Sequence, residues 1–296
     1  MGSIRSLASA AAILSAVFYG ISVPLVKLYG EGCSSTWASS LLYFGAGLAM
    51  VVLSAGLRCA GRRDALGGAP LTRRQWPLLA LMVALNAGSA IALVAGISLT
   101  DASAASLLGN LEVVATAVLA WVLFREPMGR LMVAAICAIT VSGFLLSWSG
   151  EAAQFSPGSL LIVLACVLWG LENNCTRALS AYDVVSVTRI KGLCTGVVSA
   201  ALALALGDQV ALECVAPLVG VGVVSYGASI ALYIWAQRFI GAARTGNFYS
   251  IAPFVGVALS WVVFGVDAGW QFWAALALSV AGVALTAADV ARQGEG

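Results

Sequence analysis

The chain has 296 residues, of which 61% are hydrophobic and only 9% are charged. Its mean hydropathy of +0.99 excludes an ordinary water-soluble domain, because 15 basic and 13 acidic side chains are too few to cover a soluble fold of this length. The formal net charge of +2 gives no indication of a nucleic-acid partner. The composition therefore predicts an integral membrane protein in a lipid bilayer.

Ten apolar segments of about 20 residues follow one another along the chain, and a helix of that length crosses a hydrocarbon core of roughly 30 Å. The first segment continues well past Ala8-Ser9-Ala10, so we expect a span and not a cleaved signal peptide. The expected fold class is an all-α membrane protein with ten transmembrane helices. The predicted spans lie near residues 8–30, 35–57, 77–98, 102–123, 130–148, 157–178, 186–206, 214–237, 244–264 and 270–289.

Basic residues are distributed unevenly between the two ends of these spans. If the amino terminus is cytoplasmic, every lysine and arginine except Lys27 falls on the cytoplasmic side. Cytoplasmic loops carry such an excess of basic residues in membrane proteins. We therefore expect a multi-pass protein of the cytoplasmic (inner) membrane, with both termini in the cytoplasm.

A short sequence pattern recurs between the two halves of the chain. Trp121-Val122-Leu123-Phe124 reappears as Trp261-Val262-Val263-Phe264, at an offset of 140 residues. We interpret residues 1–150 and 151–296 as two five-helix repeats, and because five is odd, the second must insert in the inverted orientation. Inverted repeats have inward-open and outward-open arrangements of similar energy, which predicts a secondary transporter that works by alternating access.

Two carboxyl groups are placed deep inside predicted spans, where charge is costly and usually functional. Glu112 shares a helical face with Thr116, whereas Asn110 is expected to be turned away, and Glu172 is followed by Asn173. We predict that Glu112, Thr116, Glu172 and Asn173 form part of a substrate or proton pathway. The alternative is that both carboxyl groups only fasten helices together through hydrogen bonds.

A second set of residues is predicted to form gates. Lys27 and Arg177, related by the repeat at an offset of 150 residues, are expected at the outer and inner mouths. Pro24 and Pro253 each remove a backbone hydrogen bond and are expected to kink gating helices. Two further candidates for the pathway stand just before Pro253, and these are Asn247 and Tyr249.

Several other classes of function find no support in the sequence. There is no histidine, and the seven cysteines form no CxxC pair, so we expect neither a metal site nor any other cofactor. The chain also lacks the GxxxxGK[ST] loop that would indicate a primary pump. An intramembrane enzyme would have to use Glu112 and Glu172 as its acid and base, and this alternative stays open beside a flippase for lipid-linked intermediates and a channel.

Several motifs resemble one known family along most of the chain. They are Gly20-Ile21-Ser22-Val23-Pro24-Leu25-Val26-Lys27, the segment Leu107 through Glu126, Trp169 through Arg177, and Ala243 through Phe254. The chain resembles the ten-helix members of the drug/metabolite transporter superfamily, those with two EamA domains. The resemblance implies a central cavity between the halves and export of small metabolites such as amino acids. Tyr43 departs from the pattern, because many relatives carry arginine there.

Overall fold

The computed structural model describes residues 2–61, 67–99, 108–147, 156–265 and 269–292. Its helices are α1 (Gly2–Tyr29), α2 (Ser35–Cys59), α3 (Trp76–Ser98), α4 (Leu111–Phe124), α5 (Arg130–Ser147), α6 (Pro157–Leu179), α7 (Val184–Leu206), α8 (Leu212–Ile240), α9a (Ala242–Tyr249), α9b (Ala252–Phe264) and α10 (Trp270–Arg292). A short 3₁₀ turn, Arg73–Gln75, precedes α3.

These helices confirm the predicted all-α membrane fold. Within the described ranges, nine helical segments are long and apolar enough to cross a membrane, and α4 is a shorter apolar helix. The predicted span 102–123 begins in residues 102–107, which lie outside the described part of the chain. Large apolar side chains such as Val52, Leu212 and Val262 are exposed on the outside of the bundle, as a lipid-facing surface requires.

Two spans depart from regular α-helix. The middle of α8, Gly222–Ala228, is π-helical. The ninth span is interrupted between Tyr249 and Ala252, so that Pro253 lies in the first turn of α9b, where its missing N–H removes no helical hydrogen bond. By contrast, α1 continues as one helix through Pro24.

The main packing contacts join helices from different halves of the chain. Helix α2 packs against α7, α5 against α10, α3 against α6, and α1 against α8 and α9b. Gly192 is needed where α7 meets α2, because a Cβ there would lie 2.6 Å from the backbone nitrogen of Gly47. In α5 and α10, Ser142 donates to the carbonyl of Ala275 at 2.5 Å. The halves are thus interlocked along their length.

Two loop contacts lie at opposite ends of α2. At the start of α2, Cys33 pairs with Val210 in an isolated β-bridge, and beyond its end Ala69 pairs with Tyr182. Each pair joins a loop of the first half to a loop of the second half. We name these contacts the Cys33–Val210 junction and the Ala69–Tyr182 junction. Their arrangement is consistent with the predicted inversion of the two halves.

The predicted orientation can be tested with an impermeant thiol reagent. In a variant without native cysteines, a cysteine introduced by Glu31→Cys should be labelled on intact cells. A cysteine restored at position 59 should be labelled only after lysis. Both positions are exposed in the structure, so access from one compartment decides the result. Labelling of position 59 on intact cells would contradict the orientation.

Candidate functional site

A cavity of about 580 Å³ lies between helices of the bundle. Helices of both halves form its wall. The side chains that give it chemical character are Tyr19, Tyr43, Asn86, Asn110, Glu112, Thr116, Trp169, Glu172, Asn173, Lys191, Tyr226, Ser229, Tyr233, Tyr249, Ser250 and Ser279. A polar cavity of this kind inside an apolar bundle is where a membrane protein can bind a solute.

Five tyrosines form one side of the cavity. The ring of Tyr226 lies 5.5 Å from that of Tyr19 and 5.4 Å from that of Tyr43, measured between centroids. The ring of Tyr249 lies 5.5 Å from Tyr19 and 5.1 Å from Tyr233. Tyr226 is supplied by the π-helical turn of α8. Of the five, only Tyr249 was predicted as a pathway residue, because single tyrosines in apolar spans give no periodic signal.

The cavity is also lined by a buried ion pair. The Nζ atom of Lys191 in α7 lies 2.9 Å from Oε1 of Glu172 in α6. Glu172 is 2% exposed and Lys191 is 8% exposed. The assignment of Lys191 to the cytoplasmic charges is therefore wrong, because Glu172 provides the counter-charge that lets a lysine stay inside the protein. One indication of this was visible in the sequence, because Lys191 lies within the predicted apolar span 186–206.

Glu112 is held beside this pair by an amide. Asn173 uses its Nδ2 group to donate to Oε1 of Glu112 at 3.1 Å and to Oγ1 of Thr116 at 3.2 Å. The structure thus places Glu112, Thr116, Glu172 and Asn173 together around the cavity. Within the part of the chain that the structure describes, Glu112 takes part in no ion pair.

Two asparagines lie elsewhere than predicted. Asn110 lines the cavity instead of turning away from it, and its Nδ2 group donates to Ser147 at 3.2 Å. Asn110 lies in a turn just before α4 begins. Asn247 is not among the residues that line the cavity. It is fully buried and donates to Thr286 of α10 at 3.1 Å.

The predicted gate residues Arg177 and Lys27 have different surroundings. The Nε atom of Arg177 lies 3.4 Å from Oε1 of Glu126, whose carboxylate also accepts from the backbone N–H groups of Ala242 at 2.9 Å and Ala243 at 3.3 Å. Glu126 thereby joins the end of α4 to the start of α9a and the end of α6. This residue was not predicted, although an acid directly after a span was a visible signal.

Lys27 lies at the far end of α1 from this contact. Its Nζ atom is 4.6 Å from the ring centroid of Phe264, and its side chain is exposed. Together with Pro253 it lines a second cavity of about 410 Å³ between α1 and α9b. Pro24 is buried in α1. Arg177 is therefore anchored by a carboxylate, whereas Lys27 contacts an aromatic ring.

Comparison with known proteins assigns this architecture to a family. The model of the EamA-like transporter family matches residues 6–148 and again residues 156–288. The chain belongs to this family. An uncharacterized transporter from Methanothermobacter thermautotrophicus is 25% identical over 265 residues, which cover 85% of this chain and 77% of that protein. The EamA chain is accordingly a membrane transporter and not an enzyme, as the sequence predicted.

One solved structure supports the fold. A crystal structure with 19% sequence identity aligns with a TM-score of 0.76 and covers 96% of this chain and 99% of that one. At this identity the likeness concerns the fold alone. The multi-span helical bundle is thus one that another protein adopts over its whole length.

Removing one partner of the buried ion pair should destabilise this EamA protein. In Lys191→Met the carboxylate of Glu172 loses its counter-charge, and such a change typically costs about 3–5 kcal/mol. We expect the melting temperature in detergent to fall by several degrees. The double variant Glu172→Gln with Lys191→Met should recover part of the loss, because no unpaired charge remains. Equal melting temperatures of Lys191→Met and the unaltered protein would contradict the pairing.

Proposed function

We propose that the protein exports a small metabolite such as an amino acid across the cytoplasmic membrane, by alternating access and in exchange for protons. The observation that carries this proposal is the central cavity of about 580 Å³, which combines charges of both signs with an aromatic wall. Its volume lies within the usual range of about 300–1,000 Å³ for small-molecule sites. The cavity is too small for a folded or polymeric cargo.

The charges suit a substrate that carries both an ammonium and a carboxylate group. Glu112 can accept hydrogen bonds from an ammonium group, since among the described residues its carboxylate accepts one side-chain hydrogen bond, from the amide of Asn173. A substrate carboxylate can share Lys191 with Glu172. The five tyrosines then contact the apolar or aromatic part of the substrate, and their ring edges and hydroxyl groups fix its orientation.

The interrupted helices supply further polar groups. The first turn of α9b, with Ala252 and Pro253, lines the cavity, as do Gly109 and Asn110 just before α4. A helix that begins at a cavity directs its free N–H groups and the positive end of its dipole toward the ligand. We therefore propose that the start of α9b, together with Lys191, contributes to holding the substrate carboxylate.

The gates follow from the position of the cavity along the bundle. The cavity extends to Ser147, at the end of α5 that lies outside in the proposed orientation. At the other end, Glu126 and Arg177 hold α4, α6 and α9a together. We propose that this is the outward-facing arrangement, with Glu126 and Arg177 forming the closed inner gate. Lys27, Pro24 and Pro253 belong to the outer gate, where Lys27 has no comparable carboxylate contact among the described residues.

Glu112 is the proposed proton carrier. Substrate and proton would compete for the same carboxylate, so a proton bound from outside displaces the substrate to the outside, and substrate bound from the cytoplasm displaces the proton into the cytoplasm. Such competition couples the flux of substrate to the flux of protons, and only the gates have to move. Tyr249 and Thr116 border the same space and are the proposed neighbours of the bound substrate.

The function is tested by counterflow in liposomes that contain only the purified protein. Vesicles loaded with one unlabelled amino acid at a time should accumulate the matching radiolabelled amino acid for at least one compound. An acidic outside should alter the net flux of that compound. If no amino acid gives counterflow while other metabolite classes do, the amino-acid assignment is wrong. If efflux shows no saturation, the protein is not a carrier.

The variant Glu112→Gln should retain exchange but lose its dependence on a pH gradient, because glutamine cannot exchange protons. Counterflow without a gradient and net flux with a gradient, measured on the same vesicles, separate the two effects. Glu213→Gln is the matched control, since Glu213 is exposed at the start of α8 and far from the cavity. An unchanged pH dependence in Glu112→Gln would remove this residue from the coupling step.

The inner gate yields a separate prediction. Glu126→Ala removes one ion-pair partner and the acceptor for two N–H groups, contacts that are each worth about 1–3 kcal/mol. The inward-open population should therefore rise at least about tenfold. This is measured as the labelling rate of Ser250→Cys, a cavity position, in inside-out vesicles of a variant otherwise free of cysteine. Glu213→Ala should leave the rate unchanged, and an unaltered rate in Glu126→Ala would exclude the gate.

A further inference from the structure

The Cys33–Val210 junction holds one cysteine in a fixed position. On either side of Cys33, the N–H of Ser34 donates to the carbonyl of Gln209 at 3.2 Å, and the N–H of Ala211 donates to the carbonyl of Gly32 at 3.1 Å. These two bonds fix the loop between α1 and α2 against the loop between α7 and α8. Cys33 is therefore positioned by the second half of the chain as much as by its own.

A second cysteine meets it there. Cys214, in the first turn of α8, is 1% exposed, and its Sγ atom donates to the carbonyl of Ala211 at 2.9 Å. Cys33 packs against the buried cluster that contains Cys214, and burial together with the neighbouring Cys214 thiol raises the pKa of Cys33 to about 12. Both cysteines carry free thiols in this structure. The two cysteines are thus neighbours across the interface between the halves.

Hydrogen bonds and a buried apolar cluster surround the pair. Thr36 donates to the carboxylate of Asp208, and the indole Nε1 of Trp37 donates to the backbone carbonyl of Asp208 at 3.1 Å. Ala38, Leu41 and Leu218 pack beside Cys214 in one buried cluster, to which Cys33 also belongs. The two thiols therefore stay close to each other in the folded protein and are not brought together only by chance motion.

The orientation proposed above places this junction on the outer side of the membrane. Compartments outside the cytoplasm are oxidising, and neighbouring cysteine pairs there are kept as disulfides. The cysteines of the cytoplasmic side, such as Cys59, do not meet this condition. A disulfide requires that the two thiols are neighbours and, independently, that they lie in an oxidising compartment. The pair at this junction satisfies both requirements.

We propose that Cys33 and Cys214 form a disulfide that covalently links the two halves at the outer face. Two S–H bonds are lost and one S–S bond forms, while a disulfide of an outer thiol oxidoreductase takes up the two electrons and two protons and leaves as a dithiol. The proposal rests on the orientation given under the proposed function. The bond encloses about 180 residues, a long loop for which closure restricts the unfolded chain strongly.

The timing of the reaction follows from burial. Only a thiolate attacks a disulfide, and a raised thiol pKa lowers the thiolate fraction. Oxidation is therefore expected while the loops are still accessible during insertion. Once formed, the bond is shielded by α2 and α8 and resists reductants added to the folded protein. The equivalent Ala69–Tyr182 junction contains no cysteine, and Arg238 fastens it by donating to the carbonyls of Ser180 and Tyr182.

The experiment uses the unaltered protein from cells quenched with acid, unfolded in SDS and alkylated. Peptide mapping by mass spectrometry should recover the peptides that contain Cys33 and Cys214 joined, and separated only after reduction. A polyethylene-glycol maleimide should add two more groups per chain after reduction than before it. In Cys33→Ser and in Cys214→Ser, reduction should add no group. Recovery of both cysteines as free thiols in the unaltered protein overturns the proposal.

The orientation is measured separately, so that the two failures can be told apart. If both thiols are free and Glu31→Cys is labelled from outside, the disulfide proposal alone is wrong. If both are free and Glu31→Cys is protected on intact cells, the proposed orientation is wrong and the disulfide proposal falls with it. A disulfide between either cysteine and any other residue also contradicts the proposal.

Discussion

The structure depends on one constraint, which is that a bilayer offers no hydrogen-bond partner to the backbone. Each span must be a helix wherever it meets lipid, and irregular backbone is tolerated only where it is enclosed by protein or faces a wet cavity. The break before α9b and the turn at Asn110 both occur at the central cavity. The π-helical turn of α8, which carries Tyr226, occurs there too. The departures from regular helix therefore mark the site.

The same constraint governs the charges. An ionised side chain inside the membrane requires a counter-charge or a polar cavity, because the cost of desolvation is otherwise too high. Glu172 and Lys191 satisfy each other, whereas Glu112 relies on Asn173 and on the cavity itself. The two carboxyl groups therefore differ in how available they are to a bound ligand. Glu172 is occupied by a neighbour of its own protein, and Glu112 is the one that a ligand can approach without displacing an ion pair.

Much of this fold was predictable from hydropathy alone, because a run of about 20 apolar residues has only one stable form in a bilayer. The grouping of Glu112 with Thr116 followed from helical periodicity, whereas periodicity places Glu172 and Asn173 on different faces of their helix. What could not be predicted was contact between helices distant in sequence. Lys191 appeared to be a surface charge, and Asn247 appeared to face the cavity, because neither periodicity nor composition shows which neighbour each helix face meets.

The close contact of Gly47 and Gly192 has a mechanical consequence for any motion of this bundle. Where two backbones touch without intervening side chains, there is no compliant layer that would let one helix slide past the other. The α2–α7 seam is therefore a line of tight backbone packing between the halves. A relative movement of the halves that keeps this contact would be a rotation about the seam, with displacement smallest at α2 and α7 and growing with distance from them.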